Sequence, residues 1–297
     1  MVKIILCTTF REFRGNDNDK IQYLFIDGIK AQTYQNFKIV TTTFGEKKVR
    51  GVLDEAFGEK SVVKDVKLDP QYRFSLTDVM LNAITEYEKE GGDAIVVWTT
   101  CDILYKPNFF QTLVDAYQPG LAGVIHPNIL YKTTSDAIKD INGDVHYTGN
   151  GIDMIVCDAR MLSEKAKSDI IKYRFNDWGV FEYFMMGVML NYSTQRRNFF
   201  PETSLKKIVN DRELTQETKE YFRRCTAMNG PVLKRYKTDT HLDRYPEKWD
   251  GPFFHYMFKS TKPTFAFRLN ELRHYGPLVV KRGVLNILVK IKHSILG

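Results

Sequence analysis

Residues 94–98 read Ala-Ile-Val-Val-Trp without a break, and the chain then passes through Thr99, Thr100 and Cys101 to a carboxylate, Asp102. An apolar run this short, rich in β-branched and aromatic residues, reads as a strand covered on both faces. Pro107 opens an amphipathic stretch over 108–118, and proline suits the first turn of a helix. A strand covered on both faces belongs to a parallel sheet sandwiched by helices, so the chain is constrained to layered α/β architectures. In such sheets ligands bind outside the carboxyl ends of the strands. Asp102 falls at such an end. A lone acid there also reads as a helix N-cap or a solvated loop residue.

The neighbouring sequence keeps the alternation. Strands are predicted at 2–8, 37–43, 61–68 and 121–126, and helices at 17–34, 47–57 and 75–90. Over 75–90, Leu76, Val79, Met80, Ala83, Ile84 and Tyr87 recur at helical spacing. The resulting βαβαβαβαβ order predicts an open, mostly parallel sheet with helices on both faces. Right-handed crossovers bring the strand carboxyl ends to one rim, lined by Thr8-Thr9, Thr42-Thr43 and Thr100 to Asp102. After the first strand the sequence is Thr8-Thr9-Phe10-Arg11, without GxGxxG, and GxxxxGK[ST] does not occur. A dinucleotide fingerprint and a P-loop are therefore excluded. Further on, 132–148 reads as a polar loop, 151–158 as a strand, 163–173 as a helix and 177–190 as a buried helix. The stretch 191–276 reads as irregular, aromatic and basic, with Arg196-Arg197, Lys206-Lys207, Arg223-Arg224 and Lys234-Arg235-Tyr236-Lys237.

With 297 residues and 43% hydrophobic content, the chain can hold one large domain, or one α/β domain with an annex. No apolar run approaches the ~18 residues of a spanning helix. The start, Met-Val-Lys-Ile-Ile-Leu-Cys-Thr-Thr, reads as a strand rather than a signal peptide. Cys7, Cys101, Cys157 and Cys225 are scattered without a CxxC pair, as expected of reduced thiols in a cytosolic protein. The net charge of +7 points to anionic partners. No acid follows Glu271, while Arg273, Lys281, Arg282, Lys290 and Lys292 do. After Gly276-Pro277, Val280, Val284, Leu285, Ile287, Leu288, Ile291 and Ile295 recur at helical spacing. The stretch 278–296 is thus predicted to be a basic amphipathic helix, either in an anionic membrane interface or docked on the protein body. The absence of acids favours the membrane.

Taken in order, the Thr8-Thr9 rim, Ser75-Leu76-Thr77-Asp78, Thr100-Cys101-Asp102 after the buried strand, and Phe175-Asn176-Asp177-Trp178 before a buried helix form a recognisable series. It resembles the GT-A glycosyltransferases, and is similar to the family-2-like bacterial polysaccharide and lipooligosaccharide enzymes of that fold. The resemblance covers roughly residues 1–190 and lies in architecture and motif placement. It implies a nucleotide-sugar donor, a UDP-sugar favoured, lying over the rim against Thr8, Thr9, Arg11, Thr43, Arg73, Thr100, Asp102, Asp153, Arg235 and Lys237. The DxD of that family becomes Thr100-Cys101-Asp102, with the second acid kept and the first replaced. A divalent Mg²⁺ or Mn²⁺ would then rest on Asp102 and a late ligand, His255, with His241 and Asp243 as other candidates. Alternatively, Arg235, Lys237, Arg244 and Lys248 would neutralise the leaving diphosphate without a metal. The general base implied for an inverting transfer is Asp177, which reads equally as a helix N-cap. Asp153, after Gly149-Asn150-Gly151-Ile152, also reads as a turn residue, and His126 and Trp249 are further candidates for the pocket wall.

The implied enzyme moves a sugar to a glycan or lipid-linked glycan acceptor in cell-surface polysaccharide synthesis, peripheral on the inner face of the membrane. Its expected divisions are a donor-binding catalytic part at 1–190, a closing segment at 191–275 and a membrane-associating helix at 276–297. The competing readings are a nucleotidyltransferase making activated sugars and a non-catalytic homologue that binds sugar nucleotides. Basic and aromatic residues interleave over 221–258, but no nucleic-acid-binding module motif accompanies them, so no nucleic-acid partner is expected.

Overall fold

The structure is a computed structural model, and it describes residues 1–125, 129–131, 154–162, 164–177, 181–192, 206–208 and 216–240. Its strands are β1 (Lys3–Thr8), β2 (Phe37–Thr43), β3 (Ser61–Asp65), β4 (Ala94–Thr99), β5 (Ile103–Leu104), β6 (Ala122–Ile125), β7 (Ile129–Tyr131), β8 (Met154–Asp158) and β9 (Lys206–Ile208). Its α-helices are α1 (Asp17–Lys30), α2 (Val49–Phe57), α3 (Leu76–Glu90), α4 (Phe109–Asp115), α5 (Glu164–Lys172), α6 (Phe181–Tyr192) and α7 (Gln216–Asp239).

Six strands form one sheet in the order β3-β2-β1-β4-β8-β6. The pairs β3–β2, β2–β1 and β1–β4 are parallel. The expectation of a mostly parallel sheet holds: β1, β2, β3, β4 and β6 run in one direction and β8 alone is reversed. Strand β8 lies between β4 and β6 and is antiparallel to both. The segment after β6 therefore returns to the sheet in the opposite sense, with Met154 opposite Thr99.

Each strand serves two cores because successive side chains point to opposite faces. Ile4 and Leu6 of β1 join Ile39, Ile95 and Val97 beneath α1, α2 and α4. Ile5 and Cys7 join Val40, Val96, Trp98 and Cys157 beneath α3, α5, α6 and α7. The two-sided cover follows from right-handed crossovers. The chain moves outward from β1 to β2 and β3, then reverses to reach β4 on the other side of β1.

Local chemistry sets the helix starts. Ser75 is the N-cap of α3 and accepts a bond from the Asp78 N–H at 3.2 Å, which satisfies a free helix-end donor. No side chain at Lys48 caps α2. Glu12, from the loop after β1, instead accepts from the N–H groups of Lys47 and Lys48 at 2.5 and 3.2 Å. Gly91 ends α3 at φ 65°, in the left-handed region that glycine adopts without penalty.

The segment 191–276, expected to be irregular, contains β9 and the 24-residue α7. Cys225, Asn229, Leu233 and Tyr236 form the buried face of that helix. Strand β9 pairs antiparallel with β5 and parallel with β7 in a small three-stranded sheet.

Candidate active site

The sheet reverses its winding between β1 and β4, which makes the crevice at their carboxyl ends the topological switch point where open α/β sheets take ligands. Threonines stitch this rim together. Thr8 Oγ1 donates to the Thr99 carbonyl at 2.8 Å and Thr9 Oγ1 donates to the Thr42 carbonyl at 2.8 Å. Thr43 Oγ1 donates to Asp65 Oδ1, and Asn82 Nδ2 donates to Thr42 Oγ1 at 2.8 Å. The Thr8 and Thr9 hydroxyls act one residue beyond the last paired positions, Cys7–Trp98 and Thr8–Thr41, and so continue the ladder there. Thr8 and Thr43 are 0% and 1% exposed. They organise the rim from beneath, and of the threonines expected to meet a donor Thr9 and Thr100 are the two left half-exposed.

Asp102 follows β4 in a tight turn, half-exposed. Thr100 Oγ1 donates to Asp102 Oδ1 at 2.5 Å. Beneath them Thr99 Oγ1 donates to the Thr100 carbonyl at 3.2 Å, so the Tyr105 hydroxyl is the donor in its 2.7 Å bond to Thr99 Oγ1. Tyr105 is fully buried, and burial pushes its phenol far above the ordinary value, which keeps it a donor. The Cys101 thiol points to Gln22 Oε1 at 3.8 Å. The turn runs directly into β5, where Ile103 lies opposite Lys207 and Leu104 opposite Lys206.

The loop after β1 is held as firmly. Gln22, buried on α1, accepts from the Arg11 N–H at 2.7 Å and donates to the Arg11 carbonyl at 3.3 Å. One glutamine thus joins the Arg11 loop to the Asp102 turn. Oδ2 of buried Asp19 accepts from the consecutive N–H groups of Arg14, Gly15 and Asn16 at 2.7, 2.5 and 3.3 Å. The Arg11 and Arg14 side chains stay exposed at the rim.

Asp177 comes to the same end of the sheet from far along the chain. Its Oδ1 accepts from the N–H groups of Arg73 and Phe74 at 2.7 and 3.3 Å, and its own N–H donates to the Phe74 carbonyl at 2.9 Å. The residue is 2% exposed with φ 56°. Asn176 bridges Ser75, and buried Asn229 of α7 donates to the Asn176 carbonyl at 2.9 Å. The Arg73 and Arg224 guanidiniums lie over the Tyr221 ring at 4.1 and 5.4 Å. Burial, and next the Asp177 carboxylate, push the Tyr221 phenol up. Helix α6 is described from Phe181, and φ 56° at Asp177 keeps that residue itself out of helical geometry.

Arg235 and Lys237 lie on the helix that carries Tyr221. They ride the last turns of α7, fourteen and sixteen residues past Tyr221, about 20 Å along a helix axis. Arg235 covers the Tyr173 ring at 5.3 Å. Asp153, His126, His241, Asp243, Arg244, Lys248, Trp249, His255 and the stretch 278–296 lie outside the described residues.

No protein-family model matches the chain, and no characterised protein matches it in sequence. Solved structures do. One is described as a nucleotide-diphospho-sugar transferase from Desulfovibrio desulfuricans G20, at 13% identity and TM-score 0.42, over 80% of this chain and 99% of that one. Another is S. aureus TarS 1–349 with UDP-GlcNAc, at 10% identity and TM-score 0.45, over 80% of this chain and 71% of that one. The same fragment with UDP matches at 10% identity and TM-score 0.43, over 77% of this chain and 65% of that one.

For a divalent cation, the described residues contain no group of three or more His, Cys, Asp or Glu that could hold one. What the rim offers is the Asp102 carboxylate, with Oδ1 already bonded to Thr100. That donor set fits a hard cation only as a single-carboxylate site completed by phosphate oxygens and water.

Proposed function

We propose that this chain is a glycosyltransferase that moves a sugar, with inversion, from a nucleotide-sugar donor to a glycan or lipid-linked glycan acceptor in cell-surface polysaccharide synthesis. The observation that carries the reading is the position of Asp102. It is the carboxylate in the turn that follows β4 at the switch point, on a turn braced through Thr99, Thr100 and Tyr105. In this reading Asp102 meets the donor diphosphate, directly or through Mg²⁺ or Mn²⁺. A bound cation would neutralise charge on the departing diphosphate, and exposed Arg11 and Arg73 would add to that neutralisation. Asp177 would take the proton of the acceptor hydroxyl through Oδ2, since Oδ1 is engaged by two backbone N–H groups.

The test is a panel of UDP-, GDP- and CMP-sugars assayed for slow hydrolysis, which identifies the donor without knowledge of the acceptor. One donor should be turned over, and Asp102→Ala should abolish turnover while leaving the melting temperature within a degree or so. Full turnover by that variant removes the basis of the reading.

Among the described residues no helix is long and apolar enough to cross a membrane. A lipid-linked acceptor would be reached through the basic stretch 278–296, each Lys or Arg near an anionic surface contributing about 1 kcal/mol. Full-length protein should sediment with anionic vesicles at low salt, and a chain ending at Tyr275 should not. Equal sedimentation of the two locates membrane binding elsewhere.

A further inference from the structure

We propose that Thr100 is a positioning residue for donor binding: its hydroxyl fixes the Asp102 carboxylate in the orientation that meets the nucleoside diphosphate. The proposal rests on the reading of Asp102 given above. Three observations carry it. The Thr100 hydroxyl donates to Asp102 Oδ1, and a hydroxyl bonded to a carboxylate makes a charge-assisted hydrogen bond. Threonine is β-branched and stiff at χ1, so its hydroxyl is a fixed donor rather than a swinging one. The backbone that carries it is itself tied down. The Thr99 hydroxyl holds the Thr100 carbonyl, the Thr8 hydroxyl holds the Thr99 carbonyl, and the buried Tyr105 hydroxyl holds Thr99 Oγ1.

The chemistry of the exchange follows. Two carboxylates at positions 100 and 102 would repel one another until a cation came between them. A hydroxyl and a carboxylate attract, so the turn is set before any ligand arrives. Preorganisation of this sort raises affinity by removing the cost of ordering the group on binding. Thr100 thus replaces an electrostatic role with a geometric one.

The experiment is equilibrium binding of UDP, GDP and CMP to the full chain, with and without Mn²⁺, in a double-mutant cycle. Thr100→Val should weaken the preferred nucleotide about tenfold without lowering the melting temperature appreciably. Thr100→Ser, which keeps the hydroxyl but loses the β-branch, should fall between the parent and Thr100→Val. In the Asp102→Ala background, Thr100→Val should have no further effect, because coupled residues are not additive. If Thr100→Val misfolds, Thr100→Ala takes its place in the cycle. An equal tenfold loss with and without Asp102, or no loss at all, overturns the positioning role while leaving the donor reading intact. Failure of the parent protein to bind any nucleotide in either medium overturns both.

Discussion

Asp177 carries two demands that one side chain meets. Its backbone sits at φ 56°, a region that L-residues other than Asn and Asp seldom enter. Its Oδ1 accepts two N–H groups from the segment that leads into α3. Asparagine satisfies both demands, which makes Asp177→Asn a clean probe of acid–base chemistry. We expect that variant to keep its melting temperature and its nucleotide affinity while kcat falls by about 10² to 10⁴. Asp177→Ala should also lower the melting temperature, since it loses both bonds and the local tolerance of this backbone. Undiminished kcat in Asp177→Asn would leave Asp177 as a structural clasp alone. The place of Asp102 after β4 was legible in the sequence because an apolar run leads to it, whereas Asp177 was singled out by the family resemblance. Glu12, Asp19 and Gln22, which fix the loops around them, were not legible. Their partners are backbone N–H and carbonyl groups of irregular loops, and no periodicity marks such pairings.

Among the elements, β1 and β8 each place a buried thiol on the face covered by α3 and α7. Burial pushes Cys157 up to about 12, and burial, helped by Cys157, pushes Cys7 up as well. An unfolded cysteine ionises near 8.5. Between that value and about 12 the folded state therefore holds more protons than the unfolded state, and stability must fall as pH rises. The contribution is complete below about pH 8.5 and is lost as pH climbs towards about 12. Melting temperature should drop steadily from pH 9 to pH 11, and the drop should be shallower in Cys157→Ala; identical slopes would assign the alkaline loss to other groups. Element type was legible wherever an apolar period ran unbroken, as in α3 and β4. Helix α7 was missed although Cys225, Asn229, Leu233 and Tyr236 keep its spacing. Gly230 and Pro231 interrupt the pattern at its centre, and a proline reads locally as a breaker even where packing of the flanking turns retains the helix.

For the whole molecule, layered cover on both faces of the sheet was legible from composition and order, because a two-sided apolar strand needs helices above and below. The insertion of β8 was not. Burial period reports which face a residue occupies and carries no information about strand direction. That insertion bears on how the chain is made. During synthesis β4 emerges with one finished neighbour, β1, while its other edge waits for residues beyond 153. All six residues of β4 are buried in the finished fold, so the waiting edge is an apolar template of the type that recruits foreign strands. Strand β6 gives no relief, since it reaches the sheet only through β8. A ribosome stalled within 132–153 therefore holds a nascent chain with an open seam down the middle of its future core, and chaperone demand should peak in that interval.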